Sequence, residues 1–347
     1  MSVLGSSVKL SQRDALYGRL APLILIIVAL AFVPLFASIL NDPFLIKVFT
    51  RVIVFAIAAV ALNLIVGFGN LISLLQAGFI GIGGYTLAIL AHHEFNAETL
   101  TTWPLAITGS SNLAVTLPLA TLVTAMIAAV IGLVCLRTIG AYFIMITLAF
   151  NQMLYYFFVA LQRYGGEDGL QILGNLHAAG FDISKRIPFF YFCLAILAVT
   201  LVLLDRLVNS RFGIVIRALA QNERRAAALG ISPLPYKLVA FVICGALGGL
   251  AGALLAASQQ FISPADMAWA RSGELVVMVV LGGLATVWGP VVGAAVFLVL
   301  ELVLSSFSIH WQLAFGLLII GVTIYLRGGL VDLWSLIVRS RQAGSAS

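Results

Sequence analysis

Apolar residues run along this chain in blocks too long for the elements of a soluble core. The first, 20–40, can cross about 30 Å of hydrocarbon at about 1.5 Å per residue. Others follow at about 44–66, 70–93, 112–135, 138–162, 188–205 and 237–258. Two shorter blocks, 273–287 and 290–307, are split by Gly289-Pro290, and a last covers 311–326. The total is ten, with 273–307 readable as two spans or as a re-entrant pair. Block 20–40 is too long for a signal-peptide core and no small-x-small cleavage site follows it, so it reads as a retained span. The expected fold class is an all-α polytopic membrane protein of about ten transmembrane helices, some short or broken.

Two blocks are crowded with glycine. One holds Gly78, Gly81, Gly83 and Gly84, the other Gly245, Gly248, Gly249 and Gly252 at small-xxx-small spacing. Glycine at this density either lets helices approach closely or marks an interrupted helix lining a cavity.

Between the apolar blocks lies one long polar island, 206–237, which sets Arg206, Arg211, Arg217, Arg224, Arg225 and Lys237 against the single acid Glu223. At about 100° per residue, 213–229 reads as one amphipathic helix. Arg217, Gln221, Arg224 and Arg225 share a face; Val215, Ala218, Leu219, Ala226 and Leu229 share another. Gly230 suits a C-terminal cap, and Pro233 and Pro235 are expected to prevent resumption of the helix. Such a loop either meets a soluble subunit, the lipid surface or the rest of the chain, or is solvated and only fixes topology. The chain thus divides into a polar segment 1–19, a transmembrane region 20–326 containing the loop 206–236, and a tail 327–347.

Composition sharpens the class. Of 347 residues 62% are hydrophobic and 9% charged, against about 25% charged in soluble domains. The net charge of +6 does not imply nucleic acid, because the cations cluster at the ends of apolar blocks. With the N-terminus inside, the inside segments hold 13 of the 19 Lys and Arg, which supports cytoplasmic termini at both ends. Lys47 and Arg51 stand close enough to a span end to snorkel. Cys135, Cys193 and Cys244 fall inside apolar blocks without paired spacing and read as small buried hydrophobes.

Catalytic signatures are missing. The sequence has no GxxxxGK phosphate loop, HExxH, GxSxG or CxxC, so no nucleotide, metal or acyl chemistry is indicated. His92-His93 reads as an interfacial turn rather than a metal site, and His177 and His310 are scattered. Glu274 and Glu301 alone qualify as intramembrane acids, and both are read as structural. A proton- or ion-coupled carrier normally carries more buried charge. Asn63, Ser73, Gln76, Tyr85, Thr147 and Asn151 are polar groups within apolar blocks, each a helix–helix hydrogen-bond partner or a substrate contact.

SRFGIVIRALAQNERRAAALGI at 210–231, followed by YKLVAFVICGALGGLAGALLA at 236–256, resembles the inner-membrane permease subunits of branched-chain amino-acid ABC importers of the LivM type. LRTIGAYFIMITLAF at 136–150, GGEDGL at 165–170 and VVMVVLGGLATVWGPVVGAA at 276–295 are similar to further motifs of that family, in the same order. Ile214 and Ala220 stand where the family is basic. Asn70 and Leu75 replace common glycines, and Leu71 a common Gln.

The resemblance implies an ABC importer permease fold with no cofactor bound by this chain and ATP used by partner subunits. It implies as partners a homologous second permease, two cytoplasmic ATPases and a periplasmic substrate-binding protein, within the bacterial inner membrane. Arg217, Gln221, Asn222, Glu223, Arg224, Arg225 and Gly230 become the expected ATPase-coupling residues, with Glu223 as a brace. Asn63, Ser73, Gln76, Tyr85, Thr147 and Asn151 become the expected substrate pathway. Related permeases for urea, amides or other small organic solutes share these motifs, and an ion-coupled secondary transporter is the alternative of a different class.

Overall fold

The computed structural model describes residues 24–39, 43–95, 109–172, 177–178, 181–182 and 185–307, with scattered residues between 312 and 330. The expected segment 1–19, all of 327–347 but residues 329 and 330, and most of the expected span 311–326 lie outside these. Helices come in the order α1 (Ile24–Ala37), α2 (Pro43–Asn63), α3 (Gln76–Phe95), α4 (Leu113–Cys135), α5 (Ala141–Ala160), α6 (Arg186–Val208), α7 (Arg211–Gln221), α8 (Glu223–Ala228), α9 (Pro233–Gln259), α10 (Trp269–Gly282) and α11 (Gly289–Phe307). α2 runs on into a π-helical turn, Leu64–Phe68.

Six helical segments among the described residues are long and apolar enough to cross a membrane: Phe44–Phe68, α4, α5, α6, α9 and α11. α3 is glycine-rich and α1 short. α10, with 14 residues, rises only about 21 Å, less than a hydrocarbon core, and folds back on α11 through the turn 283–288. The polytopic all-α class therefore stands, while the ten expected segments resolve into full spans, shorter helices and one stretch outside the described residues.

The bundle is built around α2. Its apolar stretch is 89% buried, against 28% for α5 and 44% for α6, so α2 is sheathed by α3, α6, α9, α10 and α11 and α5 keeps a wide apolar flank toward its surroundings. The closest seam joins α3 and α9. A Cβ on Gly83 would collide with the Gly249 carbonyl, and one on Gly252 with the Ile80 carbonyl. Of the two uses open to these glycines, close approach is the one realised. The break in the chain lies just before them, at 69–75.

Short ladders close the end opposite the polar island. β1 (Leu170–Gln171) pairs antiparallel with β4 (Phe261–Ile262), and β2 (His177–Ala178) with β3 (Phe181–Asp182). His92 and His93 do not form a turn; they end α3, and His93 is buried with Nε2 3.1 Å from the Tyr164 hydroxyl.

Gly83→Val should lower the melting temperature of the purified protein, or abolish its folded yield, because overpacking a tight seam costs about 1–3 kcal/mol. Gly273→Ala, where an added Cβ meets no atom within 4 Å, should leave thermal unfolding in detergent unchanged.

Candidate functional site

The polar island folds as two helices rather than one. Asn222 adopts an extended conformation (φ −159°, ψ 101°) between α7 and α8, and its Oδ1 accepts a hydrogen bond from Arg225 N at 3.0 Å. Asn is a strong N-cap, and here it starts α8 instead of continuing α7. The expected single stripe is thereby divided, with Arg217 and Gln221 on α7 and Arg224 and Arg225 on α8. The inward face also differs: Gly213, Ile216, Leu219 and Ala226 are buried, whereas Ala218 is exposed and Leu229 is 77% exposed. Pro233 and Pro235 do not block a helix. Both stand in the first turn of α9, where a missing N–H has no intrahelical partner to lose.

Three charged side chains of the island, Arg217, Glu223 and Lys237, make defined contacts. Arg217 folds back, donating from Nη2 to the Val208 carbonyl (2.8 Å) and from Nε to the Gly213 carbonyl (3.2 Å), so it braces the junction with α6. Glu223 forms an ion pair with Lys237 at the start of α9. Gln221, Arg224 and Arg225 are exposed. α8 closes with paired bonds from Gly230 N to Ala227 O and from Ile231 N to Ala226 O. Gly230 holds φ +84°, the left-handed conformation that this ending requires.

α7 is seated on the break in the membrane. Ile216 and Leu219 share a small cavity with Ile65, Gly69, Leu71 and Phe241, which places the island against the π-turn and the residues after it. The chain there reverses through Asn70, at φ +52°, and enters α3.

The N-terminus of α3 lies inside the bundle, and other helices satisfy its amides. Leu74 N donates to Thr147 Oγ1 (3.3 Å), Ala77 N to Ser272 Oγ (2.9 Å) and Gly78 N to Asn151 Oδ1 (2.8 Å). Leu75 N donates to Ser73 Oγ at 3.4 Å. Asn151 Nδ2 donates to the Met267 carbonyl (2.9 Å), while Gln76 Nε2 donates to Ala58 O (3.3 Å) and Gln76 Oε1 accepts from Cys244 Sγ (3.1 Å). At the end of α2, Asn63 Nδ2 donates to Thr286 O (2.7 Å) and Oδ1 accepts from Ala285 N (3.3 Å). Asn63 thus clamps the turn between α10 and α11, where Ala285 sits at φ +59°. Tyr85 stacks on Phe158 with centroids 4.3 Å apart.

The structure therefore brings Ser73, Gln76, Thr147 and Asn151 into one capping cluster, with Asn63 and Tyr85 elsewhere, and all six are buried. Ser272 belongs to the cluster and is missed by sequence reasoning. Ser272 stands just ahead of the block 273–287, between Arg271 and Gly273, where a serine reads as part of a polar connection, and only the fold reveals the amide it serves. Cys244 is likewise a hydrogen-bond donor, beyond its expected role as a small hydrophobe.

At the opposite end, charges gather around α2. Arg51 does not snorkel outward: its Nη2 lies 3.4 Å from Glu301 Oε1 and its guanidinium 5.5 Å from the Phe55 ring centroid. Arg271 pairs with Glu274 at 2.8 Å. No group of three or more His, Cys, Asp and Glu residues among the described residues could hold a metal ion.

A polytopic bundle with a sheathed central helix, an interrupted span and a basic loop seated on the interruption has the architecture of a membrane-embedded transport protein. The chain belongs to the family described as the permease component of the branched-chain amino acid transport system, whose model matches residues 44–327, and is the permease subunit of an ABC importer. It is 29% identical over 308 residues to the high-affinity branched-chain amino acid transport system permease protein LivM of Salmonella typhimurium, covering 82% of this chain and 69% of that one. LivM of Escherichia coli K12 is 28% identical with the same coverage. The probable branched-chain amino acid transport permease LivH of Methanocaldococcus jannaschii is 28% identical over 160 residues, 45% of this chain and 47% of its own length. No solved structure matches.

Asn151→Leu should destabilise the protein by about 1–3 kcal/mol per stranded group, because it removes the partners of Gly78 N and the Met267 carbonyl. A lower unfolding midpoint in detergent, with faster hydrogen exchange at Gly78, is the expected result.

Proposed function

We propose that this chain carries branched-chain amino acids across the bacterial inner membrane, with both termini cytoplasmic. It acts beside a homologous second permease, two cytoplasmic ATPases and a periplasmic binding protein. ATP is bound and hydrolysed by the ATPases. The positive-inside count, 13 of 19 Lys and Arg on one side, supports the orientation.

In this reading α7 and α8 form the coupling element. One observation carries it: the loop has two working faces. Gln221, Arg224 and Arg225 point outward with exposed Ile214 (59%) and Leu229 (77%), while Ile216 and Leu219 rest on the π-turn and Leu71. A soluble partner gripping the outer face thereby pushes on the break at 69–75. Arg217, Glu223 and the ending at Gly230 keep the loop stiff enough to pass that displacement on, and Asn222 sets the angle between its helices. Closure of the ATPase dimer then shifts the bundle between outward- and inward-open states.

Branched-chain amino acids as the substrate follow the family and both LivM relatives. The path lies at the interface with the second permease, beside the capping cluster. Asn63, Ser73, Gln76, Tyr85, Thr147 and Asn151 hold its wall in shape through the bonds described above, and contact solute where helix movement exposes them.

Arg224→Glu combined with Arg225→Glu should lose the ATPases on affinity purification of the complex from membranes, with unfolding of the permease itself unchanged because neither side chain supports its fold. Retention of the ATPases with full stimulation by binding protein would contradict the coupling role. Uptake of leucine that persists without ATPases on an ion gradient would contradict the proposal as a whole.

A further inference from the structure

A recess of about 670 Å³ opens between the start of α2, the start of α6, the end of α9 and the later half of α11. It lies at the end of the bundle opposite the coupling loop, the outer end in the orientation proposed above. We infer that this recess is an entry site for an α-amino-acid zwitterion with an aliphatic side chain. The inference rests on the transport reading and adds a ligand site to it.

Charge chooses the ligand class. Lys47, Arg51, Lys185 and Arg186 line the recess against the single acid Glu301. Lys185 and Arg186 hold the N-cap and first helical position of α6, where the helix dipole is already positive and a cation is unfavourable. A carboxylate arriving there relieves both repulsions. A free amine is repelled by four cations, and a simple anion leaves Glu301 facing a like charge. A zwitterion answers each: its carboxylate meets the cations that line the recess, and its ammonium meets Glu301.

The deep pair is built to open. Arg–carboxylate pairs usually close through two bonds of about 2.7–2.9 Å. Arg51 and Glu301 make a single contact at 3.4 Å, and Arg51 Nε and Glu301 Oε2 have no hydrogen-bond partner. The pair therefore gives up little when a ligand comes between its members. Val48, Leu298 and Leu302 supply an apolar wall beside it, suited to a branched aliphatic side chain. The volume falls in the range of small-molecule sites, about 300–1,000 Å³.

The test uses the purified permease–ATPase complex without binding protein. Saturation-transfer NMR is recorded with leucine, 4-methylpentanoate, which lacks the ammonium, and 3-methylbutylamine, which lacks the carboxylate. Leucine is expected to give signal, with each analogue at least tenfold weaker. Lys47→Gln and Glu301→Gln should each weaken leucine by tenfold or more. Because loss of one member of the deep pair can disturb folding, the exchange Arg51→Glu with Glu301→Arg keeps a pair in place and should also lose leucine. No leucine signal from the wild type would overturn the inference, as would 4-methylpentanoate equal to leucine and indifferent to Glu301→Gln, the mark of a general anion site. ATP-driven leucine uptake by the complete wild-type transporter separates the two proposals: uptake without recess binding sinks this inference alone, and no uptake sinks the transport reading.

Discussion

A helix that begins inside a membrane leaves several backbone N–H groups without intrahelical partners, and hydrocarbon supplies none. The organisation of this protein follows from how that problem is met at α3. Its first amides are taken by Thr147 and Asn151 of α5 and Ser272 of α10. Three segments far apart in sequence are thereby tied to one point. The short helix α10 docks through Ser272 and, by way of Asn151, through the Met267 carbonyl just before it. The broken span is thus the joint on which the surrounding helices meet.

The same joint is accessible to force from one side. Leu71 and the π-turn before it sit under Ile216 and Leu219 of α7, and Asn63, one residue before that turn, holds the α10–α11 connection. The polar loop is therefore linked to both α3 and α10 through packed, hydrogen-bonded contacts. On the other flank the glycine seam packs α3 against α9 with no room for a Cβ at Gly83 or Gly252. In the proposed mechanism this seam and the break beside it serve as the rigid pair and the hinge that convert a loop displacement into a change of bundle shape.

Much of this is legible in the sequence, and the rest has identifiable reasons for being hidden. Long apolar blocks mark the spans because the hydrophobic thickness leaves few alternatives. The basic island stands out by charge, and glycine spacing marks α3 and α9 as helices that either pack closely or break, without pairing them. The single helix expected over 213–229 fails at Asn222, where a side-chain cap outweighs an otherwise continuous amphipathic period. Pro233 and Pro235 read as helix blockers although a first turn accommodates both. Arg217 shares a face with Arg224 on a helical wheel, yet its guanidinium turns back to the Val208 carbonyl. Ser272, Cys244 and the Arg51–Glu301 pairing depend on contacts between distant segments, which no local pattern encodes.

In the proposed mechanism the polar loop transmits ATPase closure to the break before α3. Hydrogen exchange over 69–78, measured on the assembled transporter in lipid nanodiscs with and without ATP and vanadate, tests it most directly. Trapping the closed ATPase is expected to change exchange of this segment along with that of α7, and a complex bound only to ADP to show neither change. Altered exchange in α7 with an unaltered 69–78 segment would contradict it, since the loop would then move without reaching the joint.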